Sequence, residues 1–399
     1  MKCKLTNKII KPFMSFGKMP LANGFLNEND FKTEYFYEME VGFSEDISLF
    51  QLNEHPMPEK MFNEKYPFYT GSSNYMKKHF NEYANWIKKE FLKPNSKLIE
   101  IGSNDGTFLS NFKNTDIEYI GFEPSKNVAD VAIKNDIKTQ NKFFNLHNTN
   151  DLKKFIGTTD IICASNVICH IPDLKELVLT VDKLLNKKGL FIFEEPYLGS
   201  MFEKISYDQI YDEHIYMFSL NSIKKIFKIY NFELIDVLPQ PTHGGSMRYV
   251  LARLGEYSIS KNVIEGLIKE KEKMLDNLES CLKFKKNCEE SKGRINEKLL
   301  KYKKDGKKIC GYAATSKSTT ILNYCNIDNN TIDFICDTTK DKIGKFSPGT
   351  HIPIVSISHF HKNLPDVAYL FAWNHREEIF EKEKDFVTKG GKWISHVSL

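Results

Sequence analysis

Apolar and polar residues alternate along the chain in two different patterns. In residues 1–90, aromatic clusters stand between loop-forming stretches, and the segment ends in a helical pattern in which Phe80, Tyr83 and Ile87 share one side. From Lys97 onward, short apolar runs alternate with segments of helical spacing. This repetition of strand and helix predicts a parallel sheet with helices on both faces.

The apolar runs after Lys97 form two series. The first consists of KLIEIG, IEYIGFE, DIICASNV and GLFIFEEP, and the antiparallel-looking run SMRYVLARL follows it. Residues 259–304 contain no proline and have apolar residues near helical spacing, which predicts a long helix or a helical hairpin. The second series consists of KKICGYAA, TIDFICD, DVAYLFAW and KWISHVSL. The pattern therefore predicts two α/β units joined by a helical linker.

The composition is that of an ordinary globular protein. The chain has 399 residues, 41% hydrophobic and 27% charged, and its formal net charge is +4. At roughly 150 residues per domain, this length predicts two or three domains. The densest lysine run, in 261–305, alternates with glutamate as solvated helix faces do. The balance of charge argues against nucleic acid or a membrane surface as a partner.

The first residues and the cysteines predict a cytoplasmic protein. Lysines interrupt the N-terminal stretch MKCKLTNKIIKPFMSFGK before any apolar run reaches the length of a signal-peptide core. No later run approaches the ~20 apolar residues of a membrane span. The eight cysteines contain no CxxC pair, so reduced thiols are expected.

A glycine-containing turn follows the first strand of the first series. Gly102 and Gly106 enclose Ser103, Asn104 and Asp105 in the stretch KLIEIGSNDGTFLSNF. Glycines let the backbone turn sharply there, so that a ligand can lie against the main chain at the start of a helix. The third spaced glycine of the dinucleotide fingerprint is missing, which weakens a nicotinamide interpretation.

Acidic residues complete this pattern. Glu100 precedes the turn, and Glu123 ends the next strand, where a carboxylate can accept both ribose hydroxyls of an adenosine. Together they fit the S-adenosylmethionine loop of class I methyltransferases, although plain turn glycines are the alternative. Asn166 ends the fourth strand on the same rim. The predicted cofactor-binding residues are Glu100, Gly102, Asn104, Asp105, Gly106, Glu123 and Asn166.

Ionisable side chains crowd the stretch YDQIYDEHIYMFSL, which contains Tyr211, Glu213 and His214. A histidine near its ordinary pKa of about 6.5 can act as a general base, and an adjacent carboxylate can orient it. Neighbouring residues in a regular element point apart. The sequence therefore leaves open whether Glu213 touches His214 or faces a substrate, and a purely structural histidine is the alternative.

Two other histidines strengthen the case for a reaction site. His170 follows the fourth strand, and His243 opens HGGS, where Gly244 permits a close approach of the backbone to a ligand. The three histidines stand in separate loops, without HxxxH spacing and without a cysteine pair. We therefore predict no metal site there.

With these motifs, the chain resembles the sugar C-methyltransferases, which alkylate nucleotide-linked keto-deoxysugars. The resemblance extends over nearly the whole chain through MPLANGFL, IEIGSNDGTFL, NVICHIPDL, FEEPYL, YDQIYDEHIYMFSL, THGGSMR, GYAATSKSTTILNY, KFSPGTHIPI and AWNHREEI. It implies a small N-terminal domain that usually binds zinc, a central class I Rossmann-like methyltransferase domain, and a C-terminal Rossmann-like domain. The implied boundaries are 1–74, 75–258, 259–305 for a helical linker, and 306–399.

The chain departs from this family in its N-terminal region. Of the four cysteines that the family's module typically offers, Cys3 alone remains, and GFSEDISLFQL stands where a cysteine pair is expected. Zinc is therefore in doubt, and apolar packing would have to hold the N-terminal fold. In YPFYTGSS, Phe68 replaces the more usual tyrosine, so that a hydroxyl role there passes to Tyr69 or is lost.

The resemblance also implies roles for the candidate residues. His214 is expected to be the base that removes a proton next to a ketone, with Tyr211 and His170 donating hydrogen bonds to the resulting enolate oxygen. Glu213 would bind a sugar hydroxyl or amine, or steer His214. The expected substrate-binding residues are Tyr69, His243, Gly244 and Lys317.

Lys317 also stands out from the residues themselves. In GYAATSKSTTIL it follows a strand and a turn of small residues, at a helix start rich in hydroxyls. Such a position suits a phosphate or another anion. A solvent-facing lysine after an ordinary turn is the alternative.

The sequence thus predicts an S-adenosylmethionine-dependent C-methyltransferase that acts at C3 of a 4-keto deoxysugar carried by dTDP, with GDP or CDP as alternative carriers. Methylation of a related sugar at oxygen or nitrogen, and a binding protein that has lost turnover, are the other hypotheses. A protein or nucleic-acid methyltransferase is disfavoured because no basic stripe is interleaved with aromatic residues. The sequence does not determine the stereochemistry or the oligomeric state.

Overall fold

A computed structural model describes residues 1–64 and 66–399 of the chain, and it contains three β-sheets. The N-terminal region consists of strands β1 (Pro12–Pro20), β2 (Phe36–Ser44) and β3 (Leu49–Leu52), followed by the short helix α1 (Pro58–Met61). The three strands pair antiparallel in sequence order.

The prediction of a loop-rich N-terminal region is wrong for these strands. β1 carries two register shifts, between Pro12 and Met14 and between Ser15 and Gly17. All residues of β3 are buried. Bulges and a fully buried strand remove the strict alternation of apolar and polar residues by which a strand is recognised in a sequence.

The central region forms a seven-stranded sheet with the order β10-β11-β8-β7-β4-β5-β6. Its elements are α2 (Asn74–Glu90), β4 (Lys97–Ile101), β5 (Glu118–Phe122), α3 (Lys126–Lys134), β6 (Thr139–Gln140), β7 (Thr159–Ser165), α4 (Leu174–Leu184), β8 (Leu185–Pro196), α5 (Leu198–Lys204), β9 (Tyr216–Met217), α6 (Leu220–Lys228), β10 (Phe232–Gln240) and β11 (Ser246–Arg253). β6, β5, β4, β7 and β8 run parallel, whereas β11 is antiparallel to both of its neighbours. This confirms the predicted Rossmann-like sheet and its antiparallel strand.

The order of the strands determines where this sheet can bind a ligand. From β4 the chain builds outward through β5 and β6, and it then returns to place β7 on the other side of β4. The carboxyl ends of β4 and β7 thus diverge at a topological switch point, where doubly wound sheets hold their ligands. The remaining short strand, β9, adds to the edge of the N-terminal sheet beside β3.

Two linker helices lead to a third sheet, which is parallel throughout and has the order β14-β13-β12-β15-β16. The elements are α7 (Lys261–Glu272), α8 (Leu278–Lys304), β12 (Ile309–Tyr312), α9 (Ser316–Tyr324), β13 (Ile335–Asp337), β14 (Ile354–Ser356), α10 (Ile357–Lys362), β15 (Val367–Leu370), α11 (Arg376–Lys382), α12 (Lys384–Thr388) and β16 (Lys392–Ile394). The predicted C-terminal α/β unit is confirmed, and its switch point lies between β12 and β15.

Buried polar contacts join these regions. Asp208, which is 0% exposed, accepts a hydrogen bond from the Trp373 indole (2.7 Å) and lies 3.0 Å from His396 Nε2. Between the N-terminal and C-terminal regions, Glu34 contacts His351 Nε2 (2.8 Å) and accepts the Gly349 N–H (2.7 Å). His351, a motif residue for which the sequence suggested no role, therefore joins the N-terminal segment to the C-terminal sheet.

The four-part division predicted from the sequence stays a prediction. One strand crosses its boundaries, because β9 lies in 75–258 and pairs with the N-terminal sheet. Within the part of the chain that the structure describes, no helix is long and apolar enough to cross a membrane.

Candidate functional site

The switch points of the central sheet and of the C-terminal sheet open into one cavity of about 490 Å³. Its wall includes Gly102 after β4, Asn166 after β7, and Lys317 and Asn374 from the C-terminal sheet. The N-terminal region closes a further side with residues that include Tyr66. Eleven predicted site residues lie on this wall: Glu100, Gly102, Asn104, Glu123, Asn166, His170, Tyr211, Glu213, His214, His243 and Lys317.

The turn after β4 is tightly packed at Gly102. This glycine has a φ of 66°, and a Cβ there would lie 2.3 Å from Val167 Cγ2. Any other residue would therefore be strained and would clash with the turn that follows β7. The Asn104 N–H donates to Glu123 Oε2 (3.0 Å), so the carboxylate at the end of β5 also shapes the turn.

Several polar atoms on this side of the cavity have no hydrogen-bond partner among the described residues. They are Glu100 Oε2, Ser103 Oγ and Asn166 Oδ1. Burial, and then the negative charges of Asp105 and Glu123, raise the pKa of Glu100 well above its ordinary value. An unpaired buried carboxylate favours a cationic ligand, and S-adenosylmethionine carries both an ammonium and a sulfonium. These residues therefore fit that cofactor.

His214 and Tyr211 form a buried pair on the wall of the same cavity. His214 Nδ1 lies 2.7 Å from the Gln209 carbonyl, and Nε2 lies 2.7 Å from the Tyr211 hydroxyl. A carbonyl oxygen can only accept, so Nδ1 carries the proton and the Nε2 lone pair accepts the Tyr211 O–H. Burial, and then the nearby His170, lower the pKa of His214 well below its ordinary value. The imidazole is therefore neutral near pH 7, with one basic nitrogen.

His170 stacks on His214, with ring centroids 5.3 Å apart. Its Nε2 has no hydrogen-bond partner among the described residues, and burial lowers its pKa to about 3. This nitrogen is thus available to a ligand in the cavity. Ligating atoms of Cys169, His170 and His214 lie within 4.8 Å of one another. Both nitrogens of His214 are already engaged in hydrogen bonds, however, and we propose no metal there.

Glu213 turns away from His214 toward the N-terminal region. Its Oε1 accepts a hydrogen bond from Asn23 Nδ2 (2.6 Å), and its Oε2 accepts one from the Tyr66 hydroxyl (3.2 Å). Burial raises the pKa of Glu213, although these two hydrogen bonds oppose the shift. Of the two arrangements that the sequence left open, the structure therefore has the one in which Glu213 faces the cavity and the N-terminal segment.

The C-terminal region contributes two lysines to the wall, the buried Lys317 and the half-buried Lys342. Lys317 Nζ donates to Asn374 Oδ1 (3.1 Å) and lies 5.1 Å from the centroid of the Trp373 ring. Lys342 Nζ donates to the Ala314 carbonyl (2.8 Å). Burial lowers the pKa of both lysines. Lys317 is 7% exposed, so the alternative of a solvent-facing lysine does not hold.

Four predicted site residues make other contacts behind this wall. Asp105 accepts the Gly71 N–H (2.7 Å), and the Tyr69 hydroxyl accepts a hydrogen bond from Asn127 (2.8 Å). Gly106 packs against α3, and a Cβ on Gly244 would lie 2.1 Å from Trp373. These four residues therefore support the cavity from outside, and their roles in binding stay predictions.

The wall residues that sequence reasoning missed include Asn23, Tyr66 and Lys342. Asn23 lies within MPLANGFL and Tyr66 begins YPFYTGSS, two stretches that had been noted without assigning roles to these residues. Lys342 stands among other lysines in a loop, and no local pattern distinguishes it.

Comparison with protein families divides the chain into three matching parts. Residues 3–62 match a family described as "Putative zinc binding domain", residues 75–237 match a methyltransferase domain, and residues 241–398 match a C-methyltransferase C-terminal domain.

A similar protein of known name is the C-methyltransferase NovU of Streptomyces niveus. It is 29% identical over 384 residues, which cover 96% of this chain and 91% of that protein. Among solved structures, the YcgJ protein of Bacillus subtilis aligns with 45% of this chain and 100% of its own, at 14% identity and a TM-score of 0.35. The magnesium protoporphyrin IX methyltransferase of Synechocystis PCC 6803, with bound SAH, aligns with 44% of this chain and 82% of its own, at 14% identity and a TM-score of 0.34.

The residues present in the N-terminal region do not fit a zinc ion. Cys3 is 0% exposed and packs with Ile47 and Leu49 in an apolar cluster. The buried Gln51 amide accepts the Lys4 N–H (2.9 Å) and donates to the Lys2 carbonyl (3.0 Å). Within the described residues, the one group of three candidate ligands lies in the cavity. Gln51 thus ties down the N-terminal loop by hydrogen bonds.

We expect a metal chelator to leave the thermal unfolding midpoint of the protein unchanged, because the described residues of the N-terminal region form no zinc ligand set. Replacing Gln51 by Leu should instead destabilise the fold by about 1 kcal/mol, since the Lys4 N–H and the Lys2 carbonyl would lose their partly buried hydrogen bonds to the amide. Differential scanning calorimetry with and without chelator checks both. A midpoint that falls as zinc is released would contradict this account.

Proposed function

We propose that the chain, which matches family models for a methyltransferase domain and a C-methyltransferase C-terminal domain, is an S-adenosylmethionine-dependent C-methyltransferase that methylates a carbon next to the ketone of a nucleotide-linked deoxysugar. The observation that carries the proposal is the neutral Tyr211–His214 pair, which faces the same cavity as Glu100, Glu123 and Asn166. A basic nitrogen opposite a cofactor site is what methylation of a carbon acid requires.

The cofactor side of the cavity would hold S-adenosylmethionine through three carboxylate or amide side chains. Glu123 would accept the ribose hydroxyls, and the unpaired Glu100 and Asn166 would face the charged part of the cofactor. When bound, S-adenosylmethionine supplies an electrophilic methyl group on a sulfonium. Val167 and Gly102, which touch across the two turns, hold these side chains in place.

The reaction side would remove a proton from the sugar carbon. We assign His214 as the base and Tyr211 as a donor to the ketone oxygen. As Tyr211 turns its hydroxyl to that oxygen, it leaves His214 Nε2 free to take the proton. The electron pair of the broken C–H bond then becomes the enolate, which the Tyr211 hydroxyl and His170 Nε2 stabilise. Glu100, Glu123 and Asn166 would hold the cofactor, which would supply the methyl group as the electrophile for this carbon.

The remaining walls would bind the rest of the substrate. Glu213, held by Asn23 and Tyr66, would accept a hydrogen bond from a sugar hydroxyl or amine. Lys317 offers a buried positive charge beside the start of α9, which suits a phosphate of the nucleotide. We propose dTDP as the carrier, with GDP or CDP as alternatives, and methylation at C3 next to a C4 ketone. A cytoplasmic setting is supported by the eight cysteines, which are all buried and free.

Calorimetric titration tests the proposal. The purified protein is titrated with S-adenosylhomocysteine, and then with dTDP and with GDP in its presence. Micromolar binding of the first and of one nucleotide is expected. Failure to bind either would favour a scaffold protein that retains the methyltransferase fold without turnover.

Deuterated solvent separates the proposed reaction from methylation at oxygen or nitrogen. A carbon acid exchanges its proton with the solvent, so deuterium should enter the ring carbon next to the ketone when a dTDP-linked 4-keto deoxysugar is incubated with the protein and S-adenosylhomocysteine. Methyl transfer without such exchange into recovered substrate, and with the new methyl group on oxygen or nitrogen by NMR, would exclude C-methylation.

Replacing Glu123 by Ala should weaken S-adenosylhomocysteine binding by about 1–3 kcal/mol, because hydrogen bonds to a charged acceptor are lost. The Glu118→Ala variant, at the half-buried start of the same strand, is the control and should bind as the unmodified protein does. Calorimetry measures both affinities. An unaltered affinity in Glu123→Ala would remove this carboxylate from the cofactor site.

A further inference from the structure

Glu195 is a buried carboxylate that the proposed chemistry does not use. It lies at the carboxyl end of β8 and is 0% exposed. Its Oε1 accepts the backbone N–H groups of Val167 (3.0 Å), Ile168 (2.6 Å) and Cys169 (3.3 Å). One oxygen atom therefore anchors three consecutive residues of the turn that follows β7.

This turn carries a cavity residue at each end. Asn166 leaves β7 with a φ of 57°, and its N–H donates to the Glu194 carbonyl (2.8 Å). His170 closes the turn with an N–H that donates to the Val167 carbonyl (2.9 Å). Asn166 lies on the cofactor side, whereas His170 stacks on His214 on the reaction side. A shift of the turn would therefore move both sides of the site relative to each other.

The turn has little freedom on its other face. The Val167 side chain lies where a Cβ of Gly102 would be, at 2.3 Å. Val167 is thus held at its backbone by Glu195, and its side chain packs against Gly102 in the turn after β4.

Burial raises the pKa of Glu195 to about 7, while hydrogen bonds from Cys169 and from the backbone of the turn lower it. Such a carboxylate is costly to bury without partners, and charge-assisted hydrogen bonds offset that cost. A glutamine at this position would keep one acceptor oxygen without the charge. An alanine would leave three buried N–H groups without a partner.

We propose that Glu195 is a positioning residue for methyl transfer. Through the backbone of residues 167–169, it sets the place of Asn166 on the cofactor side relative to His170 on the reaction side. The inference rests on the proposed function. A misplacement of about 1 Å can cost about 100-fold in rate, so the effect of losing this anchor should be visible in turnover.

The test compares Glu195→Gln and Glu195→Ala with a matched control, Glu270→Gln. Glu270 is also a buried glutamate, 1% exposed, and it accepts the N–H groups of Leu220 (2.6 Å) and Asn221 (2.9 Å) at the start of α6. It lies outside the described residues that line the cavity. The control therefore removes the same kind of buried backbone anchor at a residue that does not line the cavity.

Two measurements are made on the full chain. The first is kcat for methyl transfer from S-adenosylmethionine to a dTDP-linked 4-keto deoxysugar, together with the Kd of S-adenosylhomocysteine. The second is hydrogen–deuterium exchange of the peptide that contains residues 166–170, with S-adenosylhomocysteine bound. We expect kcat to fall about 100-fold in Glu195→Ala and less in Glu195→Gln, with faster exchange of that peptide and a Kd changed less than about tenfold.

The outcomes separate the inference from the proposed function. Equal kcat and equal exchange in Glu195→Ala and the unmodified protein would overturn the positioning role. A loss of kcat in Glu270→Gln as large as in Glu195→Ala would also overturn it, because any buried anchor would then have the same effect. If the unmodified protein transfers no methyl group, the proposed function fails, and the exchange of residues 166–170 alone decides whether Glu195 holds the turn.

Discussion

The His214→Ala variant should lose about 10²- to 10⁴-fold in turnover while binding S-adenosylhomocysteine within severalfold of the unmodified protein. The imidazole is a basic group of the cavity, with its Nδ1 proton directed to the Gln209 carbonyl and its Nε2 bound by Tyr211. These contacts do not include the turn after β4, so the removal of the imidazole should leave that turn intact. Turnover with a dTDP-linked 4-keto deoxysugar and calorimetry measure the two quantities separately.

Two comparisons sharpen this prediction. His147 is an exposed histidine, and His147→Ala should retain full turnover. Tyr211→Phe should lose turnover as well, since it removes the proposed donor to the ketone oxygen. Unchanged turnover in His214→Ala would exclude it as the base.

The pH dependence follows from the lowered pKa of His214. A base must be unprotonated, and burial holds the pKa of this imidazole well below its ordinary value of 6.5. The acid limb of kcat/KM should therefore lie below pH 6.5, and it should disappear from the residual activity of His214→Ala.

Replacing Arg248 by Met should destabilise the folded protein by about 3–5 kcal/mol, because it leaves the buried charge of Glu194 without its guanidinium partner. Arg248 Nε lies 2.7 Å from Glu194 Oε1, and His79 Nε2 lies 2.6 Å from Glu194 Oε2. The guanidinium also lies 3.8 Å from the centroid of the Tyr83 ring. Urea unfolding followed by tryptophan fluorescence measures the loss.

The control for this prediction is Lys126→Met, which breaks the exposed Lys126–Asp130 pair in α3. It should cost less than about 0.5 kcal/mol. A similar small loss in Arg248→Met would show that the buried network contributes little.

The loss in Arg248→Met should also depend on pH. Burial acts to raise the pKa of Glu194, but His79 and Arg248 outweigh it and hold this pKa below the ordinary value of 4.5. A carboxylate with a lowered pKa stabilises the fold above its unfolded pKa, and the contribution disappears as the pH falls through the folded value. The difference between the two proteins should therefore shrink below pH 4.5.

The parallel strands of the central and C-terminal sheets could be predicted because each is a short apolar run between helical segments. β4, β5, β7 and β8 are buried on both faces, and such strands are recognisable without any alternation of polar residues. The N-terminal sheet could not be predicted in the same way. β1 carries bulges, and one of the two partners of β3 is β9, which lies more than 160 residues further along the chain.

In the candidate site, too, contacts between residues close together in the chain could be predicted, whereas contacts between distant residues could not. The motif around His214 could be found because Tyr211 and His214 are three residues apart, so a local turn joins them. Asn23 and Glu213 are 190 residues apart, and their contact depends on how the N-terminal segment packs across the cavity. Lys342 belongs to the wall because the C-terminal sheet turns its switch point toward that of the central sheet.

By itself, the sequence determined the two α/β units, the glycine turn with its acidic residues, and the histidine motif, because each depends on residues close together in the chain. The tertiary structure decided that both switch points share one cavity, that Glu213 faces Asn23 and Tyr66, and that Glu195 anchors the turn between cofactor and base. These contacts join residues that are far apart in the chain, and a local pattern of apolar and polar residues carries no information about which of them will meet.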